Sequence, residues 1–384
     1  MTHDVTRWLL PSTLVVVIVM LALLTAPSAP QRTLSPVGEP EGFVRSALYT
    51  IGDDPFTIVS GDINDDGFPD LLATNYSSGT ISLLINKGDG TFVAEAPYSS
   101  GEGSFGLALA DMDGDSTLDV LVTNQASGLL SVLYNRGDGV LESRTDLPAG
   151  GSPHTVTVAD VNGDSLPDLA VPNYQLGTVS VYLNLGAGEF ADAAVLQTHD
   201  APFSVLAVDI DGAGAPDLVT TSYSEGMLDV LWNDGNGAFN MRTTFDIGEN
   251  LWSVIAADLD GNQAQDLVVT EYTRGTITVM LNDGGGAFVD SSQYETSGFG
   301  PCWAAAFDMN GDTALDIAVV DASTHRLTVM RNNGKGVFRP VDEFETGGQG
   351  PASMIAADFN GDGRDDLAVA HWESSNVAVF LNAS

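Results

Sequence analysis

An all-β fold, a seven-bladed β-propeller of four-stranded blades, is what this 384-residue sequence predicts, on three observations. The first is a repeated loop. The pattern Asp-x-(Asp/Asn)-x-(Asp/Asn)-x-x-x-Asp-(Leu/Ile/Val) starts at Asp62, Asp111, Asp160, Asp209, Asp258, Asp308 and Asp358, at intervals of 49 or 50 residues. The second is another marker of the same period, Asn-x-Gly-x-Gly-x-Phe. It begins at Asn86, Asn135, Asn184, Asn233, Asn282 and Asn332, and a seventh copy starts at Asn382 and is cut off at Ser384. The third is the length of the apolar runs between the markers. Runs of about four to six residues bounded by Gly, Asp and Asn are strands, too short for helices. Four strands in a unit of this length make a propeller blade.

In chain order, residues 1–26 hold an apolar run over 9–26, interrupted by Pro11, Ser12, Thr13 and Thr25 and preceded by Arg7. About 18–20 apolar residues cross a bilayer core. The run is therefore expected to be an N-terminal apolar helix, either an uncleaved signal anchor or a signal peptide. Both place the remainder outside the cytoplasm, whether periplasmic, cell-surface or secreted, with membrane contact only through this segment. Residues 27–42 contain Pro27, Pro30, Pro36 and Pro40 and read as an extended linker. The propeller is expected over 43–384. Its first unit has strands near 56–59, 71–74 and 81–85, and a fourth from Phe92. Phe43 lies 49 residues before Phe92, in register with the Phe series. The last unit stops before its outer strand, so residues 43–49 should supply that strand. This closes the ring and removes two free sheet edges.

The composition agrees with the loops. The chain has 52 acidic against 13 basic residues, a net charge of −39, yet only 17% of residues are charged and 43% are hydrophobic. That is a folded chain rather than a disordered acidic tail. The acid is 39 Asp and 13 Glu, and an Asp excess belongs to turns and metal loops. Nucleic acid is excluded as a partner, because binding it needs a basic footprint. Anionic lipid surfaces are disfavoured for the same reason. A single cysteine, Cys302, permits neither an intramolecular disulfide nor a cysteine zinc site.

Oxygen ligands at positions 1, 3, 5 and 9 of a nine-residue turn can converge on one hard cation. A backbone carbonyl near position 7 and water complete six or seven ligands, which suits Ca²⁺ better than Mg²⁺. The candidate ligands are Asp62, Asn64, Asp66 and Asp70 in the first loop and Asp111, Asp113, Asp115 and Asp119 in the second. The third offers Asp160, Asn162, Asp164 and Asp168, and the fourth Asp209, Asp211 and Asp217, with Ala213 at position 5. The fifth offers Asp258, Asp260, Asn262 and Asp266, the sixth Asp308, Asn310, Asp312 and Asp316, and the seventh Asp358, Asn360, Asp362 and Asp366. Up to seven Ca²⁺ are expected, the fourth site being the weakest. Flanking strands and the lack of a Glu at position 12 exclude an EF-hand. Asp and Asn also make good turns without metal, but that does not account for three or four oxygens at fixed spacing seven times over.

These units, such as Asp160-Val161-Asn162-Gly163-Asp164-Ser165-Leu166-Pro167-Asp168 followed by Val179 to Asn184, resemble the FG-GAP/VCBS repeat family, whose best-known relatives are the integrin α-subunit propellers. The resemblance covers residues 43–384. It implies that the Asp loops join the first and second strands of each blade on one face, and that ligands are engaged on the opposite face. The position-6 Gly of the family loop is replaced by Ser116, Ser165, Gln263 and Thr313.

On that opposite face, Phe56, Phe105, His154, Phe203, Trp252, Cys302 and Ala352 occupy one equivalent position at the axial mouth, and Tyr76, Tyr174, Tyr223, Tyr272 and Trp372 another. Aromatic rings at a mouth can stack on sugars or grip peptides, but a residue type repeated in most blades serves packing at least as well. Positions that break the repeat are better ligand-face candidates: His154, Trp252, Arg274, Trp303, His371 and Trp372, with Glu271, His325 and Arg326. No Ser/His/Asp elbow, phosphate loop or His-x-x-x-His pair is present. The expected function is non-catalytic binding of a protein or glycan by a monomeric propeller, in adhesion, scaffolding or surface recognition. The alternative is a propeller enzyme acting on extracellular polysaccharide at the axial mouth.

Overall fold

The structure is a computed structural model that describes residues 42–383, all of them strands and connecting loops. The expected N-terminal helix and nearly all of the linker lie outside the described residues. No helix among the described residues is long and apolar enough to cross a membrane.

The first blade runs from an inner strand, Pro55–Gly61, through Asp70–Asn75 and Thr80–Asn86 to an outer edge built from Phe92–Ala94 and Tyr98–Ser99. Six further inner strands follow: Ser104–Ala110, Thr157–Ala159, Pro202–Val208, Leu251–Ala257, Pro301–Phe307 and Pro351–Ala357. Each opens an antiparallel sheet whose neighbours lie in chain order, except that the last sheet takes its outer strand from the start of the described chain. The second strands, such as Asp119–Asn124 and Asp266–Glu271, are buried along their whole length. They are covered on both faces by adjacent blades, which is why they read as unbroken apolar runs rather than alternating ones. Outer strands such as Phe288–Glu295 are largely exposed.

The ring closes as the register of Phe43 predicts. Phe43–Thr50 pairs antiparallel with Asn376–Asn382, Phe43 lying opposite Asn382. Phe43 is fully buried, its ring 6.3 Å from those of Phe307 and Phe344. The chain's first described strand is thus the outer strand of its last blade.

Two features tie blade to blade. The apolar residue at loop position 2 (Ile63, Met112, Val161, Ile210, Leu259, Met309, Phe359) is buried in every blade. Phe359 of the seventh blade packs among Ile58, Leu71 and Phe92 of the first. The second tie is the Asn that opens the Asn-x-Gly-x-Gly marker. The Asn282 amide donates to Gln265 O of its own loop at 3.1 Å and to Ile210 O of the preceding blade at 2.8 Å. Its Oδ1 accepts from Gly284 N. The cross-blade bond recurs from Asn135 to Ile63, Asn184 to Met112, Asn233 to Val161, Asn332 to Leu259 and Asn382 to Met309, and Asn86 to Phe359 completes the circle. The marker therefore has a structural purpose, a ring of seven inter-blade hydrogen bonds. Its terminal Phe matters less, since Leu141 stands there in the second blade.

The third blade departs from the pattern. Its inner strand is only Thr157–Ala159. In four of the other blades a hydroxyl at the second-strand place of Pro172 accepts the N–H freed by a bulge in the inner strand: Thr74 from Thr57, Thr123 from Gly106, Thr221 from Ser204, Thr270 from Ser253. In the sixth and seventh blades Val320 and Ala370 stand there, and each still has its own N–H. Pro172 offers neither that hydroxyl nor an N–H. Only an isolated bridge between Pro153 and Asn173 remains beyond it.

Candidate functional site

The Asp loops stand on one face, between the inner and second strands of each blade. Short carboxylates wrap the loop backbone. Asp62 accepts from Asp66 N and Gly67 N, Asn64 from Asp66 N, and Asp66 from Phe68 N, at 2.7–3.1 Å. The fold demands a left-handed backbone at positions 4 and 6. Asp65 and Gly67 have φ of 59° and 89°, and Ser116, Ser165, Gln263 and Thr313 hold φ of 70–73° without the help of glycine. The position-9 carboxylates are buried. Asp70 accepts from Ile63 N at 3.1 Å and from Asn86 N at 2.8 Å, so it clamps the loop to the third strand. Burial, only partly offset by these bonds, pushes the carboxyls of Asp70, Asp119, Asp217 and Asp366 up to about 6. Those of Asp168, Asp266 and Asp316 are raised for the same reason.

Several of these clusters could hold a metal ion. Oxygens of Asp111, Asp113 and Asp115 lie within 4.8 Å of one another, as do those of Asp258, Asp260 and Asp266. So do those of Asp209, Asp211 and Asp217 in the fourth loop, expected to be the weakest because Ala213 brings no oxygen. There Ala213 N turns to Asp211, and Asp209 Oδ1 is left buried with no hydrogen-bond partner. An orphaned carboxylate oxygen beside two others fits a cation.

At the other end of the blades an aromatic chain runs round the mouth. Trp372, Phe56, Phe105, His154, Phe203, Trp252 and Tyr272 follow one another with ring centroids 4.2–6.4 Å apart. Small residues, Cys302 and Ala352, interrupt it in the sixth and seventh blades. The Cys302 thiol is buried and donates to Pro351 O. His154 is 3% exposed, stacks on Tyr174 at 4.6 Å and touches Gln125 through Nε2 at 2.7 Å. Burial lowers its pKa to about 3. His371 is fully buried, and burial lowers its pKa to about 4. Both are neutral, internal rings near pH 7, and neither stands at the surface as a proton carrier.

The remaining candidates are mixed. Trp252, Trp303 and Trp372 are partly exposed. Glu271 is buried, bound by Thr278 Oγ1 and Gln293 Nε2, with the half-exposed Arg274 at 3.3 Å. His325 Nδ1 accepts from Gly350 N, and Arg326 lies 3.7 Å from Glu343.

Two features escaped the sequence reading. Asp365 stands at loop position 8, where other copies carry Pro, Leu or Gln. It lines a cavity of about 600 Å³ between the sixth and seventh loops, with Asp308, Asp358 and Arg364. Burial, then Asp358 and Asp308, raise its carboxyl. The second is His199, whose Nδ1 lies 2.9 Å from both carboxylate oxygens of the buried Asp229. A residue-by-residue comparison of the seven copies signals both, as departures from the repeat.

The repeats match the family model described as FG-GAP-like repeat over residues 62–122, 111–171, 160–220, 209–269, 258–319 and 308–369. No curated protein matches the chain. Among solved structures, BBS1N in complex with ARL6DN is similar at TM-score 0.65 and 10% identity, covering 88% of this chain and 97% of that one. Virginiamycin B lyase from Staphylococcus aureus follows at 0.62 and 13%, covering 88% and 99%. A lectin from Agrocybe aegerita that recognises non-reducing terminal N-acetylglucosamine is similar at 0.55 and 20%, covering 84% and 86%. At these identities the likeness shows the fold alone.

Proposed function

The chain belongs to the FG-GAP-like repeat family, and from that premise we propose that it is a calcium-stabilised propeller, held outside the cytoplasm, that binds a protein or glycan partner on its mouth face without catalysis. One observation carries the binding reading: the two faces differ in regularity. The loop face repeats one chemistry seven times, as a structural device does. The mouth face collects the exceptions, including Trp252, Arg274, Trp303 and Trp372, as a recognition surface does. The similar propellers include one solved with a protein partner and one that recognises a sugar, which supports either class.

Calcium is supported by the donor set. Carboxylate and amide oxygens in a short loop, with no sulfur or imidazole, suit a hard cation of flexible coordination. Isothermal titration of calcium into chelator-treated protein tests it. Several saturable sites are expected, and no heat from any loop overturns the assignment. Placement outside the cytoplasm rests on the apolar run at 9–26, by export or anchoring, and fractionation of the tagged chain tests it.

The second reading, an enzyme acting on extracellular polysaccharide at the axial mouth, has one observation in favour, the likeness of fold to a lyase. The burial and low pKa of His154 and His371 weigh against it. A glycan array beside a polysaccharide-degradation screen separates the readings. Saturable binding without product, lost in Trp303→Ala or Trp372→Ala, supports recognition. Product release from wild type overturns it.

A further inference from the structure

The turn into the third strand of each blade runs beside the connector that leads to the next blade. Five blades place glycine there: Gly79, Gly128, Gly177, Gly226 and Gly275. The reason is close approach. A Cβ at Gly79 would stand 2.6 Å from Gly101 O, and one at Gly128 2.6 Å from Gly150 O. The sixth blade has His325 instead, whose φ of 57° keeps the left-handed backbone of those glycines. Its carbonyl accepts from Thr346 N and Thr346 Oγ1 at 3.0 Å, so the start of the connector is held as Gly128 O holds Ala149 N. What the histidine adds is its ring. Nδ1 accepts from Gly350 N at 2.9 Å, at the far end of the same connector.

This bond fixes the protonation state of the ring. A backbone N–H can only donate, so Nδ1 presents a lone pair and the ring proton sits on Nε2. One blade earlier the equivalent Gly300 N donates to Tyr272 O, a carbonyl that pH does not change. At Gly350 a proton on Nδ1 sets donor against donor and breaks the contact. The ring is partly exposed, within reach of protons from solvent. The connector it holds is Gly347, Gly348, Gln349 and Gly350, with φ of 87° at Gly347 and 64° at Gly350, a backbone that bends at little cost. Trp372 rests on that connector. A Cβ at Gly350 would stand 2.6 Å from Trp372 Cδ1. Trp372 N donates to Gly350 O at 2.8 Å and Glu373 N to Gln349 O at 3.2 Å. The Trp372 ring lies 6.4 Å from that of Phe56, at one end of the aromatic chain of the mouth. The titratable or charged groups on the elements around His325 are Asp321, Arg326, Glu345, His371 and Glu373. Burial lowers His371 to about 4, so it stays neutral between pH 5 and 8. Burial pushes Asp321 up to about 6, but its hydrogen bond goes to Ser297 on the preceding connector.

We propose that His325 is a proton-released latch on the mouth face: near neutral pH its ring holds the connector between the sixth and seventh blades, and with it Trp372, and in acid the latch opens and Trp372 leaves that position. The proposal rests on the recognition function inferred above and adds its regulation. A partner gripped through Trp372 is held at neutral pH and loosened in acid.

The test labels the full chain with 5-fluorotryptophan and follows the fluorine resonance of Trp372, assigned with Trp372→Phe, from pH 7.5 to 5 in excess calcium. In wild type the resonance is expected to move along a single titration curve. His325→Asn keeps an acceptor at the place of Nδ1, suits the left-handed backbone and carries no titrating group. Its resonance should stay at the neutral wild-type position throughout. His325→Gly restores the residue of the first five blades and removes the acceptor. At pH 7.5 its resonance should lie where that of wild type lies at pH 5. A wild-type resonance that does not move, the same movement in His325→Asn, or a neutral wild-type position in His325→Gly each overturns the latch. None of these readings needs a partner, so such a failure leaves the recognition function standing. With a partner that is lost in Trp372→Ala, binding at least about threefold weaker at pH 5 than at pH 7.5 in wild type, and level in His325→Asn, supports the regulatory role. Equal binding by wild type at both pH values overturns it.

Discussion

Single residues carry opposite messages on the two faces. At loop position 6 the backbone is left-handed in all seven copies, and Thr313 holds φ at 73° although it is β-branched. The left-handed region costs a non-glycine residue about 1–2 kcal/mol, while glycine's larger unfolded-state entropy returns about 0.4–1 kcal/mol of that. Nothing lies within 4 Å of a Cβ at the equivalent Gly67 and Gly363, so the cost there is conformational and not steric. Thr313→Gly is therefore expected to stabilise the protein by about 0.5–1 kcal/mol, seen as a higher melting temperature. A lower one would contradict the strain argument. At the mouth, His154 and His371 read from the sequence as candidates for ligand contact. Burial makes them part of the packing, and the same burial holds them neutral near pH 7. The partly exposed imidazole is instead that of His199, which drew no notice because its partner Asp229 lies 30 residues away on a central strand.

The elements were legible in number, order and approximate place, though not in the short inner strand of the third blade, Thr157–Ala159, or the split outer edge of the first. Strand order, loop positions and the closing strand all follow from one period read along the chain, because each blade repeats the same local chemistry. What the period did not disclose is why Asn opens the second marker. Its amide reaches a carbonyl 72 residues back in the preceding blade, a bond that exists only once the blades stand side by side. Asn282→Ala would leave Ile210 O and Gln265 O without that donor inside the structure. A loss of about 2–4 kcal/mol is expected, as one to two unmet buried groups. Chemical denaturation measures it, and a change under about 0.5 kcal/mol would show that water replaces the amide. The closing strand makes a separate prediction. Phe43 is wedged between the sixth and seventh blades by Phe307, Phe344 and its own ladder. Phe43→Ala should cost about 3–5 kcal/mol, and an unperturbed denaturation midpoint would mean that the ring does not depend on this strand. The short inner strand of the third blade was readable in principle, since Pro172 inside a central strand position announces a broken ladder.

For the whole molecule, charge and stability are one question. Of the 39 Asp, 22 occupy loop ligand positions, and seven calcium ions would bring −39 to about −25. Each filled site contributes about 1.4 kcal/mol when calcium is ten times its Kd. Chelation is therefore expected to lower the melting temperature by many degrees, and an unchanged melting curve would remove calcium as a staple. The pH dependence should reverse with the metal. Without it, the carboxyls of Asp70, Asp119, Asp217 and Asp366 sit at about 6 in the fold, against about 3.9 when unfolded. Between these values the folded state binds more protons, so stability is highest at the acid side and falls as pH rises toward 6. With calcium bound, protons compete with the metal and stability should rise with pH. Melting curves in EDTA and in calcium, at pH 5 and 7.5, read both slopes. Parallel slopes would mean that the loops hold no metal.

The repeat accounts for what could be known from the chain alone: blade number, strand order, ring closure and the oxygens of the loops. All of these are local patterns copied seven times, and sequence spacing reports local patterns faithfully. Which aromatic and histidine side chains face solvent, the circle of Asn bonds and the His199–Asp229 pair came from the assembled ring. Each depends on residues tens of positions apart, on different strands or different blades. Their distance and burial are set by how neighbouring blades pack, which spacing along the chain does not encode.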